Sequence, residues 1–339
     1  MNTDGEIQAG SVPNKVMSAP VGMKLDTIKG VKAMEQFSGL LNQCFGLEAP
    51  TQFLDDFPIW TEKFGPGLER ALKIGVWDGE ELVSCAAVRL AELNAPARPL
   101  QIALIGAVAT AASHRGRGLA SRTVSLAVEW ARERGAAMVV LWGAETALYE
   151  RLGFELCGMQ VRPALASLEL GPEPDFSQTV LGRGWVPSLF QCLRGRDSGL
   201  KFQDSDEKWL EAHQNVDWYW LGDPAAPLAY AALGRGIDLQ GLIHEWGGTN
   251  PIALKNLLSL IRMEHPEARL LASPQLLAQW RLGAPMAQIE TLGMIRTLDV
   301  KKIALSYGFS TTVEVVSSRY LFGPSEDAMP LWVWGLDAV

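Results

Sequence analysis

Residues 101 to 110, QIALIGAVAT, read as a strand with almost no polar side chain. They run into a turn of glycine and arginine, HRGRGLA, and a helix begins at Leu119. A strand this apolar is covered on both faces, so it belongs inside a layered sheet. A helix start exposes backbone N–H groups carrying partial positive charge. Glycines at 116 and 118 let an anion reach such amides without Cβ obstruction. The chain is therefore constrained to a layered α and β architecture with an anion-binding corner, and such a corner suits a pyrophosphate.

The flanking periodicities extend this frame. Leu25–Phe45 reads as a helix, with Ile28, Val31, Met34, Phe37, Leu40, Leu41 and Phe45 at helical spacing before Gly46. A second, weaker helix is predicted from Trp60 to Leu72. Lys73–Trp77 and Leu82–Leu90 read as strands joined at Asp78-Gly79. After the helix that Gly135 ends, Ala136–Trp142 reads as a buried strand, Thr146–Leu152 as a short helix closed by Gly153, and Phe154 onward as strand. LGPEPD, starting at Leu170, is the expected linker. Beyond it the order of elements repeats: strands at Leu228–Leu233 and Asp238–Trp246, a helix at Ile252–Arg262, a strand at Arg269–Ala272, a helix at Leu276–Arg281 and a strand at Gln288–Thr297. The expected organisation is a mobile tail over 1–20 and two units over 21–170 and 171–339.

Three phosphate-loop patterns compete for the corner. GxxxxGK[ST] is absent, and GxGxxG fails because Leu-Ala-Ser follows Gly118. The pattern [RQ]xxGx[GA] is met in order by Arg115, Gly118 and Ala120. Together with VAT at the strand end and the later LYERLGFEL (148–156), it resembles the GNAT superfamily of acyl-CoA N-acyltransferases over roughly residues 22 to 165. The resemblance implies an α+β fold: a central twisted, mostly antiparallel sheet flanked by helices, here duplicated in tandem. It implies acetyl-CoA as co-substrate, with direct acetyl transfer to a small-molecule or peptide amine. Backbone amides of Arg115, Gly116, Arg117, Gly118, Leu119, Ala120 and Ser121 would then hold the pyrophosphate. The main chain of Val108, Ala109 and Thr110 would pair with the pantetheine arm, and an N–H there would polarise the thioester carbonyl. Tyr149 would protonate the leaving thiolate; the plainer reading of Tyr149 is a core aromatic under Trp142.

The general base is not assigned. Some members of the superfamily carry an acidic residue on the strand before the loop, and Gln101–Thr110 has none. Asp55 and Asp56 of FLDDFP and Glu245 are candidates, each of which also reads as a surface or capping carboxylate. In one group of tandem members the terminal carboxylate enters the active site, which adds Val339. That group's third, sterol-carrier-like domain has no room here. His114 reads as a solvated loop residue and Cys157 as an inert core thiol. At the matching corner the second half has GGTNPI (247–252), where the arginine is gone and Pro251 lacks an N–H, so it is expected to be degenerate. DWYW (217–220) and WVWGL (332–336) read as core or interdomain packing, the alternative being an aromatic acceptor pocket.

Composition narrows the classes. A net charge of −8 argues against nucleic acid. No run of apolar residues is long enough to span a membrane. The four cysteines form no CxxC and the four histidines show no metal-ligand spacing, so no metal is expected. With no signal peptide apparent, the expected compartment is the cytoplasm. The rival functional classes are a non-catalytic acyl-CoA sensor and a scaffold with a vestigial site.

Overall fold

The computed structural model describes residues 22–48, 52–171, 180–236, 238–284, 287–310, 317–323 and 328–338. The expected tail, most of the LGPEPD break and Val339 lie outside them. The first half comprises β1 (Met23–Thr27), α1 (Val31–Phe45), α2 (Phe53–Asp56), β2 (Ala71–Asp78), β3 (Glu81–Leu93), β4 (Leu100–Thr110), α3 (Leu119–Glu133), β5 (Met138–Leu141), α4 (Thr146–Glu150) and β6 (Glu155–Cys157). Strands β1 to β4 form an antiparallel meander, and β5 joins it in parallel after the α3 crossover. Gly79 turns the β2–β3 hairpin at φ 60°, a left-handed conformation that glycine adopts without steric cost.

The expected coverage of β4 on both faces is present. Helix α3 buries Val124, Leu126, Val128 and Trp130 in one cluster with Ile74, Val88 and Ile105 of the sheet. Each such side chain contributes about 1.5–3 kcal/mol relative to an exposed one. Helix α1 lies against β3 and β4 and carries Phe37, Leu40 and Leu41 into a separate cluster with Cys85, Ala87, Ala107 and Ala109. In strands, neighbouring side chains alternate between faces, so α1 and α3 cover opposite sides of the sheet.

The helix predicted from Trp60 to Leu72 does not form. A short 3-10 turn covers Pro58–Trp60, and β2 already begins at Ala71. Gly65-Pro66-Gly67 explains the difference, since a proline between glycines removes a helical N–H and its ring opposes the preceding turn. A Cβ on Gly65 would also lie 2.2 Å from the Ile59 carbonyl oxygen.

The second half builds a five-stranded sheet in the order Arg269–Leu270, Leu242–Gly248, Ala226–Leu233, Asp217–Asp223, Leu181–Arg183. A helix, Pro251–Glu264, crosses from its fourth strand in chain order, Leu242–Gly248, to the parallel strand at 269–270. This is the connection that α3 makes between β4 and β5. Two details depart from the sequence expectation. The strand expected from Asp238 begins only at Leu242, after a turn through Gly241 at φ 70°. The strand expected over Gln288–Thr297 is divided. Ile289–Glu290 pairs with Gln160–Val161, while Gly293–Thr297 lies between β5 and β6, antiparallel to both. Strand β5 is buried along its whole length, and an unpaired polar backbone edge there would be costly. The second half therefore completes the first sheet. The Trp142 indole donates to the Leu292 carbonyl at 2.9 Å across the same join.

Candidate active site

Strand β4 pairs with β5 only over Ala103–Ile105 and Val139–Leu141. From Gly106 to Thr110 the two strands diverge, and the outward backbone of β4 faces open space rather than a neighbour. An irregularity on the other side sets this splay. The β3–β4 register shifts between Cys85 and Ala87, and Ala107 there takes φ 51°. Left-handed backbone at a residue with a Cβ costs about 1–2 kcal/mol and marks a locally enforced bulge. Side chains hold it: the Cys85 thiol donates to the Ala107 carbonyl, and the Ser84 hydroxyl donates to the Ala109 carbonyl at 3.1 Å.

The opening continues as a cleft of 1120 Å³. Of the residues singled out in the sequence, Val108, Ala109, Thr110, Arg115, Gly116, Gly118, Leu119, Ala120, Ser121 and Tyr149 line it together, whereas Arg117 does not. Gly116 and Gly118 have φ 77° and 72°, and a Cβ on either would meet nothing within 4 Å. Space is therefore open in front of the turn, and glycine is required by backbone conformation. Gly118 is the N-cap of α3 and no side chain caps it, which leaves the amides of the first turn available to an anion. Arg115 ties the turn to the strand, its Nε donating to the Thr110 carbonyl at 3.2 Å.

Tyr149 sits on α4 at 6% exposure, its ring edge-on to Phe154 at 6.2 Å. A methyl group on Gly143 would lie 2.5 Å from the Tyr149 ring, so that glycine makes room for the tyrosine beside the cleft. Burial, and secondarily the charge of Glu145, raise the phenol's pKa. A phenol held neutral is a proton donor. His114 is not loose: its Nε2 lies 3.2 Å from the Asp78 carboxylate at the end of β2. Cys157 is fully buried, and desolvation first and Glu155 second push its thiol up to about 12, so it is no nucleophile at neutral pH.

The carboxylates suggested as bases face elsewhere. Asp55 accepts from Gln214 Nε2 at 3.0 Å, and buried Asp56 is bonded by Asn215. Glu245 is fully buried and receives Arg196 Nη1 at 2.7 Å. Desolvation raises its pKa against the pull of Arg196. None of these three lines the cleft. In FLDDFP the phenylalanines turn inward instead: Phe53 and Phe57 line the cleft beside Phe45 and Cys44, and Asp238 enters from the second half. The i, i+4 spacing of Phe53 and Phe57 was the signal for this. No sequence signal singled out Asp238. The tryptophans of DWYW and WVWGL are packing residues, with Trp218 and Trp334 at 4% and 3% exposure. They do not line the cleft.

A family model for an acetyltransferase (GNAT) domain matches residues 30–157. The match to the GNAT domain is confined to these residues of the first half. No curated protein sequence matches the chain. The whole fold is similar to a GCN5-related N-acetyltransferase from Kribbella flavida, at 20% identity and TM-score 0.60 over 86% of this chain and 76% of that one. A GCN5-related N-acetyltransferase from Anabaena variabilis gives 18% identity and TM-score 0.61 over 86% and 77%. Eis1 from Mycobacterium abscessus gives 14% and 0.55 over 84% and 75%. At such identities the likeness establishes the fold. Within the matched residues, the splayed β4–β5 pair and the α3 turn are the features that make the cleft. Among the described residues no cluster of side chains is fit to hold a metal, and no helix is long and apolar enough to cross a membrane.

Proposed function

We propose that the chain is an acetyl-CoA-dependent N-acetyltransferase that passes the acetyl group directly to an amine. The observation that carries this reading is one continuous cleft lined by the open edge of β4, the uncapped glycine turn of α3 and Tyr149. The open space before Gly116 and Gly118 fits a diphosphate, which the amides of 115–121 would bind. Main-chain groups of Val108, Ala109 and Thr110 would align the pantetheine arm and polarise the acetyl carbonyl.

Acetyl-CoA supplies the activated acyl carbon. A neutral amine nitrogen forms the C–N bond to that carbon as the C–S bond breaks. Tyr149 gives its proton to the departing sulfur. The surplus proton on the new amide nitrogen restores the phenol, so no separate base is consumed. Residues 171–339 form, in this reading, a degenerate second GNAT-like unit that shapes the acceptor side and holds no coenzyme of its own. The test is release of free thiol from acetyl-CoA with a panel of amines, beside calorimetric binding of acetyl-CoA. Binding without release for any amine would make the protein an acyl-CoA sensor.

A further inference from the structure

The two faces of the first sheet divide the cleft. The glycine turn starts α3, which covers one face, whereas Phe45, Phe53 and Phe57 come from α1, α2 and the residue after it, on the other face. All of them line the same opening between β4 and β5. A coenzyme entering along the α3 side leaves the phenylalanine side to the acceptor.

That side is a continuous aromatic wall. Phe45 and Phe53 have ring centroids 4.9 Å apart, and Phe53 stacks on Phe57 at 4.5 Å with 19° between the planes. Phe53 and Phe57 are 3% and 6% exposed, but Phe45 at the outer end is 42% exposed while lining the cleft. A large ring left this open beside two buried ones is an unfinished stack.

The wall ends at a charge held in place from the second half. Arg235, itself 1% exposed, lies over the Phe57 ring at 4.4 Å and bonds both carboxylate oxygens of Asp238. Arg235 also donates to the Gly335 and Ala338 carbonyls, so its position is fixed from several sides. The Asp238 side chain keeps 37% exposure and lines the cleft. A carboxylate so placed orients an amine through hydrogen bonding. The guanidinium behind it offsets its charge, which lessens the bias towards a protonated, unreactive amine. A polyhydroxylated amine would bury hydroxyl groups against carbon along this wall, at a cost.

We propose that the acceptor is an arylalkyl amine, its ring packed against Phe45, Phe53 and Phe57 and its nitrogen directed to Asp238. This rests on the acetyl-transfer reading of the cleft. The experiment measures thiol release from acetyl-CoA with 2-phenylethylamine, n-butylamine and glucosamine, and in parallel acetyl-CoA binding by calorimetry. The expected kcat/KM for phenylethylamine exceeds the other two by at least roughly tenfold, the scale of one added aromatic contact. Phe45→Ala, at an exposed position that leaves the core intact, should remove most of that preference. Asp238→Asn should raise the amine KM several-fold with acetyl-CoA affinity unchanged. Equal use of the three amines, preference for glucosamine, or an unchanged preference in Phe45→Ala overturns the assignment. Acetyl-CoA bound without release from any of the three overturns it while keeping the coenzyme site. No acetyl-CoA binding at all overturns the acetyl-transfer reading beneath it.

Discussion

The chain makes a strand-to-helix corner twice, and the two corners differ in who occupies the helix start. At Gly118 no side chain caps α3, and the left-handed turn leaves open space before its amides. At the second corner the Asn250 side chain accepts from the Ala253 N–H at 2.9 Å, and Pro251 follows at the first helical position. The second helix thus satisfies itself, with a good N-cap and a proline where no N–H is missed. The strands part in both places. The second sheet's parallel pair touches only at Leu242–Arg269 and Ile243–Leu270. Yet the cavity there is 300 Å³ against 1120 Å³ in the first half, with Trp246, Trp280 and Trp334 among its walls. A fold can keep its splay and still close its helix start, because the opening resides in a few unsatisfied amides.

The largest effect that separates the corners concerns Tyr149, for which the matching short helix of the second half, Pro274–Gln279, has no tyrosine. Tyr149→Phe keeps the ring against Phe154 and removes only the hydroxyl. It should lower kcat by about 10² to 10⁴, the usual worth of general acid catalysis, with coenzyme affinity changed less than a few-fold. Wild-type turnover in the mutant would reduce Tyr149 to a packing residue. Because burial raises this phenol's pKa from 10.0, the neutral donor form persists at pH values where a free phenol ionises. A loss of kcat caused by its ionisation should therefore appear only above pH 10.0. A basic limb near neutrality that Tyr149→Phe abolishes would contradict this.

Next comes the turn itself. Proline cannot adopt the φ of 72° found at Gly118. Gly118→Pro should weaken acetyl-CoA binding by more than roughly 100-fold, on the scale of the about 3 kcal/mol that a misplaced proline costs. Circular dichroism checks that the fold persists. The milder Gly118→Ala, strained by about 1–2 kcal/mol in left-handed backbone, should fall between. Unchanged affinity in both variants by calorimetry would remove the turn from the coenzyme site.

At the second corner the same logic predicts a purely structural effect. Asn250→Ala loses the cap and should cost about 1 kcal/mol in chemical denaturation, leaving coenzyme affinity unchanged. The smallest effect is none at all: the second corner adds no coenzyme, so calorimetry should return one acetyl-CoA per chain. A stoichiometry of two would end the distinction between the corners.

Local pattern was enough for β2 to β4, the α3 corner and α4, because each is written in contiguous residues: period-two apolar runs, Asp78-Gly79, the Arg115–Ala120 spacing, and the Gly153 that closes LYERLG. It was not enough for β1, since Leu25–Thr27 was expected in the helix and instead pairs with β2. It was also enough to see that GGTNPI lacks what HRGRGLA has. The phenylalanine side of the cleft was not legible in this way. Asp55 and Asp56 drew attention as charged neighbours in FLDDFP, but Gln214 and Asn215 turn them away and Phe53 and Phe57 face the cleft. Asp238 is held at the cleft by buried Arg235, whose own place over the Phe57 ring depends on far-apart segments of chain.

By itself, the sequence determined where backbone amides are left open and where they are closed, since capping and left-handed turns depend on residues within a few positions of each other. Only the tertiary structure decided which strand completes the first sheet and which side chains meet across the splay. Gly293–Thr297 has no local mark that sends it between β5 and β6. It goes there because the buried edge of β5 needs backbone partners, and contacts between distant segments leave no period in the sequence.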